Sequence, residues 1–273
     1  MKKPTISPSA LDMYLRCGEQ YRRAYILKDK QPPGVAMIKG GSVHKAAEVN
    51  FRQKIVSHED LNVADLQEVA AAHVDTTIAG EGLMLSPDEE SRGMAKVKGE
   101  LVDRAVVLTG VFRREVAPTV QPVLVEEFVR IELPRHTHDL NGRLDVVDDG
   151  NRVRDIKTSG RRKSQDDVDR SDQLTYYAAA ASRKMGKPIT DVVLDVLVDT
   201  KTPAVQRLTS TRTDADKRVF LAKLTTVMDA INKGVFPPAP VGSWWCSYKF
   251  CGYAGSCPFF NSERRSAAEE NDR

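Results

Sequence analysis

Gly142-Arg143-Leu144-Asp145, the turn Asp148-Asp149-Gly150-Asn151, and then Arg154-Asp155-Ile156-Lys157-Thr158 is the stretch that decides how this chain is read. An Asp-Gly-containing turn between two β-rich runs predicts a hairpin. Alternation along the second run places Asp155 and Lys157 on one face and Ile156 on the other. Asp145, on the first run, can face the same side. Two carboxylates converging on one spot repel unless a cation lies between them, and oxygen ligands of this kind suit Mg²⁺ or Mn²⁺. A lysine beside such a cation can position a water or stabilise charge developing on a phosphate. Taken alone the tripeptide is a weak signal, because exposed charges on a hairpin commonly serve only solubility.

Outward from the hairpin, residues 123–133, 140–147, 152–157, 192–198 and 204–209 are β-rich. The polar run 158–169 reads as a mobile loop. Helical patterns cover residues 171–184 and 213–233 on the C-terminal side. On the N-terminal side they cover 42–55, 62–79 and 88–116, after a first helix capped at Ser7-Pro8 and ending before Pro32-Pro33-Gly34. These elements predict a mixed α/β core, a small sheet flanked by helices, with helical N-terminal additions and a Cys-rich C-terminal end. We expect a single domain over 1–260: a mostly helical part (1–116), the sheet and core helix (117–210), and a helix with a Cys-rich clamp (211–260). Residues 261–273 are expected to form a disordered tail.

The totals set bounds. With 273 residues, 41% hydrophobic and 6% aromatic, the chain can bury a core without covalent staples. A net charge of +3, from 41 basic and 38 acidic side chains, neither requires nor excludes a polyanionic partner. No apolar run approaches membrane-spanning length, and Met1-Lys2-Lys3-Pro4-Thr5 carries no apolar signal core. A cytoplasmic location is the expectation, and structural disulfides are then unexpected. The four cysteines, Cys17, Cys246, Cys251 and Cys257, need another account. Three lie close enough to reach one metal centre, and the fold would have to bring Cys17 back to them. Spacing alone leaves tetrahedral Zn²⁺, a [4Fe–4S] cluster and reduced, unligated thiols open.

The wider pattern resembles the PD-(D/E)XK nuclease superfamily, in its RecB-type exonuclease branch. The matching elements are Gly40 and His44 at a helix start, Gly142 to Asp145, Asp155-Ile156-Lys157-Thr158, and Gln173 with Tyr177 on the following helix. The resemblance implies a restriction-endonuclease-like core and a divalent-metal-dependent deoxyribonuclease. It implies His44, Asp145, Asp155 and the Ile156 carbonyl as holders of the metal, and Lys157 as the group acting on the attacking water. Gln173 and Tyr177 would contact the DNA strand or brace the site. Glu126 or Glu127 could add an outer acidic contact, though either could equally be a solvated strand position. The branch's iron–sulfur members, similar to CRISPR-associated exonucleases and the AddB subunit of a recombination nuclease, place one cysteine near the N-terminus and three near the C-terminus. Cys17, Cys246, Cys251 and Cys257 follow that layout, with Gly18 and a longer first C-terminal spacing as departures, which implies an iron–sulfur cluster with zinc as the alternative.

The expected activity is therefore exonucleolytic hydrolysis of single-stranded or end-frayed DNA in recombination, repair or replication. A catalytically weak DNA-binding subunit of a helicase–nuclease complex is the alternative, and a helicase or recombination partner is possible on either reading. Arg161, Arg162 and Lys163 are candidate phosphate contacts, with a solvated loop as the competing interpretation. Arg22-Arg23 and Arg152 with Arg154 have weaker claims. Trp244, Trp245, Tyr248 and Tyr253 could stack on bases or pack around the cysteines.

Overall fold

The computed structural model describes residues 3–260, so the expected disordered tail lies outside the described residues. A mixed sheet carries the strands β1 (Thr5–Ile6), β2 (Pro122–Ile131), β3 (Asp139–Asp148), β4 (Val153–Ser159), β5 (Asp191–Val198) and β6 (Ala204–Thr211). Its order is β1-β3-β4-β5-β6, with β2 antiparallel along the other edge of β3. The expected hairpin is β3–β4, followed by a parallel step to β5 and an antiparallel return in β6.

Helices α1 (Pro8–Arg16), α8 (Asp172–Met185) and α9 (Asp214–Asn232) cover one face of the sheet. Helices α3 (Val35–Ser57), α4 (Val63–Glu81) and α6 (Met94–Val111) cover the other. The sheet thus separates two apolar cores. Fully buried Leu144, Val153, Val192, Tyr176 and Leu224 belong to the first, and Phe51, Leu66, Leu108 and Phe112 to the second. Side-chain caps fix where the helices begin: the Ser7 hydroxyl accepts from the Ala10 amide (3.1 Å) and the Ser171 hydroxyl from the Leu174 amide (3.2 Å). Thr213 with Asp216, and Ser86 with Glu89, form capping boxes. No described helix is long and apolar enough to cross a membrane.

Several boundaries differ from the sequence reading. The first helix does not run continuously towards Pro32. It stops at Cys17, which is extended (φ −161°, ψ 103°), and restarts as α2 (Gly18–Tyr21) followed by a π turn at Arg22–Ile26. Gly18, just past the break, is a close-approach position, since a Cβ there would meet Pro237 at 2.7 Å. The helical pattern over 88–116 is cut by Gly93 (φ +82°) into α5 (Pro87–Arg92) and α6, and ends in a second π turn. The second helix begins at Val35, seven residues earlier than its pattern suggests. The polar run 158–169 is more ordered than expected. Its first two residues extend β4, and Gln165–Asp169 forms the short helix α7. Both backbone groups of Lys163 are held by the Gln206 side chain at 2.8 Å.

Arg154 is not a DNA contact. It lies buried, donating to Asp148 (2.8 Å) and Asp195 (2.5 Å), and Arg207 closes the network on Asp195 (2.6 Å). Arg152 grips the same Asp148 (2.9 Å). Breaking a buried pair of this kind costs about 3–5 kcal/mol, because one charge is stranded. Arg22 and Arg23 are likewise held, by Glu19 at 2.7 and 2.9 Å.

Candidate active site

The site forms where β3 and β4 part. The two strands pair at Val146↔Arg154 and Val147↔Val153, next to the turn, and β1 takes the same edge of β3 only at Asp139 and Leu140. Between these pairings the hairpin opens, and a side chain replaces the backbone ladder: the Ile156 amide donates to Asp145 Oδ2 at 3.1 Å. Through this opening the helices of both faces reach the same carboxylates.

From one face, α3 brings His44, whose Nδ1 lies 3.4 Å from Asp145 Oδ2 and whose ring meets the Ile156 carbonyl. Gly40 permits this approach, because a Cβ there would stand 3.2 Å from Thr158 Oγ1 on β4. From the other face, α8 brings Gln173 and Tyr177, joined by a 2.7 Å hydrogen bond from the Gln173 amide to the Tyr177 hydroxyl. Gly142 makes room for that helix, since a Cβ there would meet the Tyr176 ring at 2.5 Å. Both motif glycines are therefore close-approach positions. Asp155 is buried on β4 and accepts from Lys157 Nζ at 2.8 Å, as the alternation predicts. A cleft beside them is lined by Asp155, Lys157, Lys163, Ser171 and Gln173. Arg161 and Arg162 are exposed at its loop.

Glu126 on β2 is the residue that the sequence leaves undecided. Its φ is +51°, in the left-handed region, at a cost of about 1–2 kcal/mol for a residue with a Cβ. It stands between the pairs Val125↔Val146 and Glu127↔Leu144, opposite Asp145. Val125 and Val146 pack on the α3 side, whereas Leu144 packs on the α8 side and Glu127 reaches Lys184 of α8 at 2.9 Å. Both strands slip one residue in their facing pattern at this point, yet stay in register. His44, Glu126 and Asp145 are the one group of three such side chains, among the described residues, whose ligand atoms lie within 4.8 Å of one another. Asp155, engaged by Lys157, stands outside that group.

Crowding shows in the protonation of these groups. Burial, then the neighbouring charges of Asp145 and Glu48, push Glu126 up to about 7. Burial, with Asp145 adding to it against Lys157, pushes Asp155 up to about 7. Burial favours the neutral form of His44, the form that can ligate a cation. Burial would lower Lys157, but Asp155 and Asp145 outweigh it and hold the ammonium charged. Burial and the nearby carboxylates raise Tyr177, so its hydroxyl keeps its proton. The donors present, carboxylate oxygens and one imidazole, suit Mg²⁺ or Mn²⁺, and a divalent cation would relieve the repulsion among the acids.

A second cluster joins the two ends of the described chain. Cys17, Cys246, Cys251 and Cys257 line one pocket with Glu19, Arg23 and Trp245. Arg23 ties the segments further by donating to Ser256 Oγ and to its carbonyl, both at 2.9 Å. Burial pushes the Cys251 thiol up, against a lowering hydrogen bond from the Tyr253 backbone, and the other three cysteines add to the rise. The Trp245 indole Nε1 is buried without a hydrogen-bond partner among the described residues. Tyr253 packs inward, donating to the Asp29 carbonyl at 2.5 Å, while Trp244 and Tyr248 are exposed.

A mixed sheet flanked by helices, with an acid–lysine strand beside its opening, defines a nuclease-type core. Residues 5–258 match the PD-(D/E)XK nuclease superfamily, and the chain belongs to it. The fold is similar to a solved structure from Eubacterium rectale described as a "Putative exonuclease", at 12% identity, covering 89% of this chain and 86% of that one with a TM-score of 0.58. The crystal structure of SSO0001 aligns with 15% identity over 96% and 89% of the two chains, with a TM-score of 0.44. No curated protein matches this sequence.

Proposed function

We propose that this nuclease is a divalent-metal-dependent DNA exonuclease of the RecB type, acting on single-stranded or frayed ends. The observation that carries this reading is the convergence of His44, Asp145, Asp155, Lys157, Gln173 and Tyr177, drawn from both faces of the sheet, on the opening between β3 and β4. His44 and Asp145, with Asp155 and the Ile156 carbonyl, would hold Mg²⁺ or Mn²⁺. When bound there, the cation polarises the scissile phosphate and lowers the pKa of a water.

The chain's own groups supply the rest. Lys157, fixed by Asp155, presents a full positive charge to the nucleophile and to charge gathering on the phosphoryl oxygens. Tyr177 is kept protonated and steered by Gln173, so it is a hydrogen-bond donor rather than a base. In-line attack would leave a 5′-phosphate and a 3′-hydroxyl. Arg161, Arg162 and Lys163, beside the cleft, suit contacts to the strand's phosphates.

We read the cysteine pocket as the site of a [4Fe–4S] cluster, with zinc as the alternative. Thiols from both ends of the described chain line it together, and an acceptor inside the pocket would satisfy the Trp245 indole. Hydrolysis needs no electron transfer, so the cluster's role would be to clamp Cys17 to the C-terminal segment.

The test is degradation of labelled single-stranded DNA with Mg²⁺ or Mn²⁺, with either end blocked in turn. We expect the wild type to shorten DNA from a free end and Lys157→Ala to bind without cutting. Equal degradation by that variant would refute the assignment.

A further inference from the structure

Glu126 and Glu127 are indistinguishable as sequence, and the fold separates them. Glu127 keeps to the α8 side and is paired with Lys184 at 2.9 Å. Glu126 takes the left-handed conformation at the point where β2 and β3 exchange faces, and its carboxylate comes to His44 and Asp145. Its nearest cation is Arg143, a long 3.8 Å contact to a side chain more than half exposed. On α3, one turn beyond His44, Glu48 is fully engaged by Lys45 (3.0 Å) and Arg52 (2.8 Å). Glu126 is therefore the carboxylate on the α3 side that the protein leaves without a close basic partner while bringing its oxygen within 4.8 Å of both other ligand atoms.

We propose that Glu126 is a direct ligand of the divalent cation that His44 and Asp145 hold, and that the left-handed kink of β2 exists to deliver it. The inference rests on the metal-dependent reading above. Alternation carried forward from Val125, on the α3 side, would direct residue 126 towards α8, away from His44. The kink keeps Glu126 on the same side as Val125, and the alternation resumes, shifted by one residue, with Glu127 facing α8. The cation would thereby bind a β2 residue, an α3 residue and a β3 residue, joining three elements around the opening of the hairpin.

The test uses Mn²⁺ alone as probe, with the full chain and no DNA, and follows the loss of the free-ion electron paramagnetic resonance signal. Glu126→Gln should weaken Mn²⁺ binding roughly tenfold or more, and Glu127→Gln should leave it within about twofold. Glu126→Asp keeps the charge but withdraws it by one methylene, and direct ligation predicts that it too binds weakly. Glu126→Asn, which accepts a left-handed φ, supplies a second variant should Glu126→Gln fold poorly. Wild-type affinity in a folded Glu126→Gln or Glu126→Asn would overturn the proposal. So would full affinity in Glu126→Asp, which would mean that only charge matters. A wild type that takes up no Mn²⁺ would overturn the metal-dependent reading itself, and this ligand with it.

Discussion

The Ile156 amide donates to Asp145 Oδ2 over 3.1 Å, closing with a side chain the gap that the backbones of β3 and β4 leave open. Asp145 is at once a candidate ligand and the tie across the mouth of the site. The two roles can be separated experimentally.

Asp145→Asn retains an oxygen for the Ile156 amide and should lose activity by several orders of magnitude with little loss of stability. Asp145→Ala removes the tie as well, stranding a half-buried N–H, and should cost a further 1–3 kcal/mol or so. Urea unfolding of both variants checks this. Equal stability of the two would mean that the bond contributes nothing to the hairpin.

Protons and cations should compete at the site. Glu126 and Asp155 both stand near 7, so Mn²⁺ affinity should fall at least tenfold from about pH 8 to about pH 6, with protons released on binding. Stability should run the opposite way in metal-free protein. A carboxyl raised in the folded state binds its proton more tightly than in the unfolded chain. It therefore stabilises most below the unfolded value, and that contribution is lost as pH rises through about 7. The metal-free melting temperature should drop across this window, and Asp155→Asn should flatten the drop. Calorimetry across pH measures both.

Gly142→Ala should destabilise without altering any charged group. The added Cβ meets the Tyr176 ring at 2.5 Å, and that ring is fully buried with its hydroxyl bonded to the Val129 carbonyl at 2.7 Å. A clash of this kind costs about 1–3 kcal/mol. An unchanged melting temperature would show that α8 is free to move away.

Cys17→Ser should abolish the visible absorption of an iron–sulfur protein and loosen both chain ends. A cross-link closing a loop of this length contributes up to about 5 kcal/mol by loop entropy. Limited proteolysis should then cut within the C-terminal segment while the sheet stays protected. Purified wild type that is colourless and carries zinc would refute the cluster.

Arg161→Ala and Arg162→Ala should each weaken DNA binding and reduce the slope of log affinity against log salt by about 0.7 for a single strand. Turnover at saturating DNA should change little. An unaltered salt slope would assign these side chains to solvent.

Much of this protein is written locally. The Asp-Gly turn, the alternation that sets Asp155 and Lys157 on one face, and the capped starts of α1 and α8 depend on near neighbours in the chain, so the sequence by itself determines them. The acid–lysine strand and its order relative to His44, Gln173 and Tyr177 are legible for the same reason. Other features depend on partners far along the chain. Arg154 looks like a surface cation until Asp195 from β5 closes over it. The requirement for glycine at 18 becomes visible only with Pro237 packed against it. The choice of Glu126 over Glu127 needs a left-handed residue whose strain is held by pairing on both sides. Local propensity specifies which residue types stand in which order. Only tertiary packing, which can impose a disfavoured dihedral or bury a charge, decides which of them meet.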